Sequence, residues 1–279
     1  KPTYKDGKAA YLRNDYKRAF EILLPLAKNG DSWSQYIVSL MYESGNGVEK
    51  DQEEAIKWLI LAAESGVPKI QYDLGIRYFY GYGIEKNYSE AAKWWRSSAN
   101  AGIADSQYNL GLMKYRGIGI PKDKEEAKLL VEKAATQGHD KAQLKLGYCY
   151  KDGLGVPQDK TKAYVWFSIS ANNGGALNGR GKAGELADEI SVLLPNNEIG
   201  EAKAEIKRLE KLISAREKEN YLQILNQLNK TGWKVEMEKA GDGSHNFSAT
   251  KYGMTSKSMA PNWRVAFINV LQQCEKWPE

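Results

Sequence analysis

The 279-residue chain is 42% hydrophobic, which is enough to build a sizeable core and too much for a disordered polypeptide. Its 40 basic and 35 acidic residues leave a formal charge of +5 and mix along stretches such as Glu198–Lys218, which argues against a nucleic-acid surface and leaves a mild preference for acidic partners. No apolar window approaches the roughly 18 residues of a membrane span, and two cysteines, Cys149 and Cys274, are too few for a disulfide framework and lack zinc spacing.

The first residue is Lys1, not methionine, which fits either an artificial boundary or removal of an export signal. Residues 1–32 contain NDYKRAFEILLPLAKNG, a single amphipathic helix that reads as part of a repeat. From residue 33 to 175 the chain repeats every 36 residues. The register is marked by Gly45/Gly47, Gly81/Gly83, Gly117/Gly119 and Gly153/Gly155, by Gln35, Gln71, Gln107 and Gln143, and by alanines such as Ala27, Ala63, Ala99 and Ala135.

Each unit reads as two helices around its glycine pair. In the second unit, helix A spans about Lys69–Tyr80 and buries Leu74, while Gly75 admits a close neighbour; helix B spans about Tyr88–Asn100. The first glycine suits the left-handed end of helix A. Asp51, Asn87, Asp123 and Asp159 then cap helix B, and Glu54, Glu90 and Glu126 stand three residues later, as in a capping box. No GxGxxG follows an apolar strand and no glycine run ends in Lys-Ser/Thr, so these glycines are turn residues and not a phosphate loop.

Beyond residue 175 the register breaks. Residues 176–230 read as a divergent last pair and capping helices, with a turn at Pro195 and a charged break at Ala215–Asn220. Residues 231–279 change character: Trp233, Val235 and Met237 alternate with polar residues, AGDGSH supplies a turn, and NFSATKYG supplies a second strand. An amphipathic helix, about Asn262–Lys276, ends the chain.

The segments QYDLGIRYFYGYGIEKNYSEAAKWWRSSANAG and QLKLGYCYKDGLGVPQDKTKAYVWFSISANNG resemble the Sel1-like repeat, a relative of the tetratricopeptide repeat. The resemblance covers residues 8 to 175 well and extends weakly to about 214. It implies an all-α, right-handed solenoid of antiparallel helix pairs, with a concave wall of A helices that binds proteins; the small hairpin-plus-helix appendage at residues 231–279 has no part in the resemblance. It also implies a bacterial protein, periplasmic or secreted, without a cofactor. Cysteine-rich relatives linked to penicillin binding carry paired cysteines in each repeat. Here the repeats hold only Cys149, so that activity is not carried over.

If Leu74, Gly75 and Tyr78 face inward, positions 73, 77 and 80 form a separate stripe at i, i+4 and i+7. Through the register, the candidate partner-binding residues are Asp73, Arg77, Tyr80, Asn109, Met113, Arg116, Lys145 and Asp152, with Ile37, Met41, Ser44 and Cys149 on the same stripe. Trp58, Trp94 and Trp166 share one register and read as core. The cysteines read either as separate buried thiols or as one bridge, Cys149 to Cys274, tying the tail across the groove. His139 and His245 read as surface residues without a nucleophile or metal-ligand context. Two binding roles remain open, an envelope adaptor and an immunity protein that neutralises a toxic effector such as a lipase. A hydrolase is the alternative from another class and would require a clustered nucleophile–base pair.

Overall fold

The computed structural model describes residues 2–178, 181–230, 234–239, 245–251 and 254–260, with side chains placed for residues 2–173, 181–216 and 219. The repeat region builds α1 (Tyr4–Leu12), α2 (Tyr16–Lys28), α3 (Ser32–Ser44), α4 (Gln52–Glu64), α5 (Pro68–Tyr80), α6 (Tyr88–Asn100), α7 (Ala104–Arg116), α8 (Lys124–Ala135), α9 (Asp140–Asp152) and α10 (Lys160–Asn178). Then follow α11 (Gly181–Ser191), α12 (Asn196–Lys230) and the strands β1 (Lys234–Lys239), β2 (His245–Lys251) and β3 (Met254–Ala260). The chain divides into two units, Leu59–Glu217 and the remainder, described here separately.

Within Leu59–Glu217, each helix packs mainly on its neighbours in sequence: α5 on α6, α6 on α7, and so on to α11. Pairs stacked in this way form an α-solenoid segment. Small residues bring the helices close. A β-carbon on Gly75 would run into the Trp95 ring, so α5 and α6 can meet at this distance only with glycine there. Trp95 and Ala99 of α6 then pack with Leu110 and Met113 of α7. Of the tryptophans expected in the core, Trp166 is buried, whereas Trp58 and Trp94 are only half-buried and Trp95 takes the interior place.

The glutamine and alanine registers have one cause. Gln107 Nε2 donates to the Ala99 carbonyl (3.1 Å) and Gln143 Nε2 to the Ala135 carbonyl (3.1 Å), a second bond to a helix-end carbonyl that also accepts from the following turn glycine, Gly102 or Gly138 (3.0 Å each). Each glutamine oxygen then accepts from an amide 30 residues further on, Gln137 to Gln107 (2.7 Å) and Asn173 to Gln143 (2.9 Å). The result is a buried polar ladder along the stack. Gln35 makes the same bond to Ala27 in the other unit (3.1 Å).

The turn between helices A and B follows the sequence expectation with one correction. Gly81 takes φ 76° and its N–H donates to the Arg77 carbonyl, ending α5. Asn87 caps α6 by accepting from the Glu90 N–H (3.0 Å), as Asp51, Asp123 and Asp159 cap theirs. The glutamates do not complete capping boxes, because the N-cap N–H is already taken. Asn87 N donates to the Tyr78 carbonyl and Asp123 N to the Lys114 carbonyl, 2.9 Å each. The freed carboxylates pair elsewhere: Glu54 with Lys57, Glu90 with Lys93, and Glu126 with Lys114 (2.6 Å) and Arg96 (3.0 Å). The box that does form is at Thr3–Asp6.

At the end of the stack, Ala202, Ile206, Leu209 and Ile213 of α12 join a core with Phe167, Ile169, Leu186 and Ile190. Thr161 donates to Glu198 (2.6 Å) and Asn172 to Glu210 (2.7 Å), so α12 runs parallel to α10 as a further B helix. The charged stretch expected to break this region at Ala215–Asn220 is helical throughout, since Lys, Arg and Glu are good helix formers.

In the other unit, α1, α2 and α3 pack around Ala10, Leu23, Ala27, Val38 and Met41. The expected hairpin is present as β1 and β2, and a third antiparallel strand, β3, pairs with β2 over the whole of its length. The helix expected at about 262–276, and Cys274 with it, lie outside the described residues.

Candidate protein-binding face

The A helices α5, α7 and α9 each leave one face between their buried rows and solvent. The buried row is Ile70 and Leu74 on α5, Ser106 and Leu110 on α7, and Ala142 and Leu146 on α9. Next to it, Asp73, Asn109 and Lys145 are half-buried, and Tyr80 (54% exposed), Arg116 and Asp152 lie at the exposed C-terminal edge. The structure thus sets six of the proposed partner-binding residues at the margin of one face.

The middle of the stripe is corrected. Met113 is 1% exposed and Cys149 4%, and both belong to hydrophobic cores. Positions 77, 113 and 149 continue the buried row at 70/74, 106/110 and 142/146, because i, i+4 and i+7 fall on one side of a helix. Arg77 is the half-buried exception. Burial pushes the Cys149 thiol up, so it is a packing group and not a reactive one. Its proposed partner Cys274 is outside the described residues.

A second stripe was not singled out from the sequence. Tyr72 and Ile76, Tyr108 and Leu112, and Leu144 and Tyr148 are half-buried and share the registers one residue before the first stripe. The 36-residue spacing of Tyr36, Tyr72 and Tyr108 was its available signal. These residues are cross-linked between pairs: the Tyr72 hydroxyl is hydrogen-bonded to the Asn109 side chain, and the Tyr108 ring stacks on His139 at 4.8 Å. Burial raises both phenols above their ordinary range, so they remain neutral hydrogen-bonding groups. Lys145 lies 4.8 Å over the Tyr115 ring, and Tyr82 stacks on Tyr80 at 5.2 Å, extending the exposed aromatic edge.

His139 is not the surface residue expected. Its side chain is 13% exposed; Nδ1 accepts from the Ala142 N–H (3.1 Å) to cap α9, and Nε2 lies 3.4 Å from Asp105 Oδ1. Both nitrogens are thus engaged in joining α7 to α9. The hydrogen bond from His139 holds the Asp105 carboxyl below its ordinary range. His245 opens β2. Among the described residues, no group of three or more His, Cys, Asp or Glu is placed to hold a metal, and no helix is long and apolar enough to cross a membrane.

The face is therefore an apolar floor of Tyr, Leu and Ile with a rim of both charges, a composition suited to another polypeptide. The Sel1 repeat family model matches residues 4–31, 34–67, 68–103, 104–139 and 140–175. A Sel1 repeat protein from Oxalobacter formigenes is 33% identical, with TM-score 0.57, over 60% of this chain and 69% of that one. A protective antigen present in uropathogenic Escherichia coli strains, displaying an SLR fold, is 30% identical with TM-score 0.58 over 72% of this chain; the match spans 43% of that protein. No curated protein matches.

Proposed function

The chain belongs to the Sel1 repeat family, whose members are typically protein-interaction scaffolds, and we propose that it is a non-enzymatic binding protein of the bacterial envelope that holds a protein partner on the face of α5, α7 and α9. The observation that carries this is the row Tyr72, Ile76, Tyr108, Leu112, Leu144 and Tyr148, apolar and half-buried on three successive A helices, beside the exposed Tyr80 and Arg116. Aromatic and arginine side chains at such a margin commonly carry most of the affinity of an interface. The two nitrogens of His139 serve the α9 cap and Asp105, which supports a structural role for that residue over a catalytic one.

The test is affinity capture from the native cell extract by the full chain and by a variant with R77A, Y80A and R116A, after circular dichroism has shown equal helicity. Loss of a defined partner from the variant supports the face; undiminished capture overturns it. A captured toxic effector whose activity the chain inhibits would make the protein an immunity protein, and a captured envelope component would make it an adaptor.

A further inference from the structure

At the start of the chain, α1 and α2 form an open pocket of about 440 Å³ whose lining includes the buried Ala10 and Ile22 and the exposed Lys5, Asp6, Arg13 and Arg18. That volume lies in the range of sites for small ligands and single side chains. Ile22 stands in the register of Trp58, Trp94 and Trp166, so this pair has a smaller side chain where three later units have an indole. Ala10 and Ile22 are buried and form an apolar floor.

The charge of the lining is one-sided. Lys5, Arg13 and Arg18 face one carboxylate, Asp6, which is already engaged: its Oδ2 accepts from the Thr3 N–H (2.7 Å) and the Thr3 hydroxyl (2.8 Å). Those two bonds hold Asp6 below the ordinary carboxylate range. Two further acids stand near Arg18: Asp15, whose Oδ1 accepts from the Arg18 backbone N–H (3.3 Å), and Glu21, 3.5 Å from the guanidinium with both side chains more than half exposed, where such pairs hold weakly.

Arg18 occupies the third position of α2 after the Asp15 cap, where α4, α6 and α8 carry Glu54, Glu90 and Glu126 and α10 carries Lys162. A cation in the first turn opposes the helix dipole; Lys162 offsets this by pairing with its own cap, Asp159, at 3.0 Å, whereas Arg18 pairs with Glu21 at 3.5 Å. Between Arg13 and Asp15, Asn14 adopts φ 63°, the one non-glycine with positive φ among the described residues, and the Tyr16 hydroxyl donates to its side-chain oxygen (2.6 Å). This tight turn brings Arg13, which caps the end of α1, and Arg18, in the first turn of α2, to the same pocket.

We propose that the pocket between α1 and α2 is a binding site for a peptide carboxylate adjoining an apolar residue, with Arg13 and Arg18 on the carboxylate and Ala10 and Ile22 beneath the apolar group. It is independent of the A-helix face. The carboxylate comes from an acidic side chain or from a chain terminus, and three probes separate them: acetyl-leucyl-glutamate amide, acetyl-alanyl-leucine with a free C-terminus, and acetyl-leucyl-glutamine amide, which has no carboxylate.

Each is titrated into the full chain while the methyl signals of Ala10 and Ile22 are followed by NMR. One or both carboxylate peptides should shift these signals saturably, the tighter one identifying the source, and the neutral peptide should not. R13E and R18E should each weaken binding about tenfold or more, as should raising salt toward about 1 M, where the screening length falls to about 3 Å. R18E places here the residue that α4, α6 and α8 carry, so its Tm should equal or exceed that of the parent. Equal binding of the neutral peptide, no binding of any peptide, or unchanged affinity in both variants overturns the proposal. So does a lowered Tm in R18E combined with unchanged affinity in R13E.

Discussion

Trp95 is 2% exposed, its ring rests on Gly75, and its indole N–H donates to the Tyr72 carbonyl at 3.2 Å. W95A should therefore destabilise the chain by about 3–5 kcal/mol, from the lost ring and the cavity it leaves. W94A, one position along and half-buried, should cost at most about half as much. Urea midpoints would compare them, and equal losses would contradict the assigned burial. The sequence could not separate the two tryptophans, because adjacent indoles differ only in helical phase and the phase is set by what Gly75 admits. Asp105 gives a prediction in pH. Its folded carboxyl titrates below the ordinary value because His139 hydrogen-bonds the charged form, so its contribution is present above about pH 4 and is lost as pH falls through the lowered folded value. D105N should lack that component: the stability gap between parent and variant should narrow on acidification. A gap that widens would contradict the pairing. The effect is small, since the Asp105 side chain is 59% exposed.

The helices and their turns were legible because helix-forming periodicity, glycine at the left-handed position and an Asp or Asn cap recur in register. The glutamine register was equally visible, but its purpose was not, since a bond from Gln143 to the preceding pair exists only once pairs are stacked. Gln143 is fully buried, donates to the Ala135 carbonyl and accepts from Asn173. Q143A removes both bonds, leaving the Ala135 carbonyl with the Gly138 N–H alone and the half-buried Asn173 amide without this acceptor, and should cost about 1 kcal/mol or more. N173A should cost less, and the double variant should fall short of the sum, because the second change removes a group the first had already stranded. Strict additivity in chemical denaturation would show that the ladder is not a coupled network. The tail was less legible. MTSKSMA has little of the β-branched and aromatic content that marks a strand, and β3 is defined by its pairing with β2, a tertiary preference that local composition does not carry. The candidate face was half legible: its rim showed in Tyr80 and Arg116, whereas Met113 was misplaced by one turn of phase. The pattern of Met41, Met113 and Cys149, apolar at one register, was the missed sign that this row belongs to the core.

Within Leu59–Glu217 the molecule is a sum of pairs, each held by its sequence neighbours. Stability should then be close to a sum of intrinsic terms for each pair and interface terms between pairs, with interfaces dominant. Insertion of a second copy of residues 104–139 after His139 tests this directly. The new junction places His139 before Ala104, where Ile103 normally stands, and the copy's Glu126 and Ser106 meet Glu132 and Ala134 where Arg96 and Ser98 stand in the parent; the contacts of Gln107 to a preceding carbonyl, Glu126 to Lys114 and Val131 against Gly111 are kept. The insertion adds one pair and one interface without removing any. The enlarged chain should fold with helicity increased in proportion to the added α7 and α8 residues. Its unfolding midpoint should be equal or higher, and its denaturant slope larger, because the slope tracks the surface exposed on unfolding. A lower midpoint with a broadened transition would mean that the pairs are not interchangeable, and that α11 and α12 recognise features of the α9–α10 pair that depend on its distance from the start of the stack.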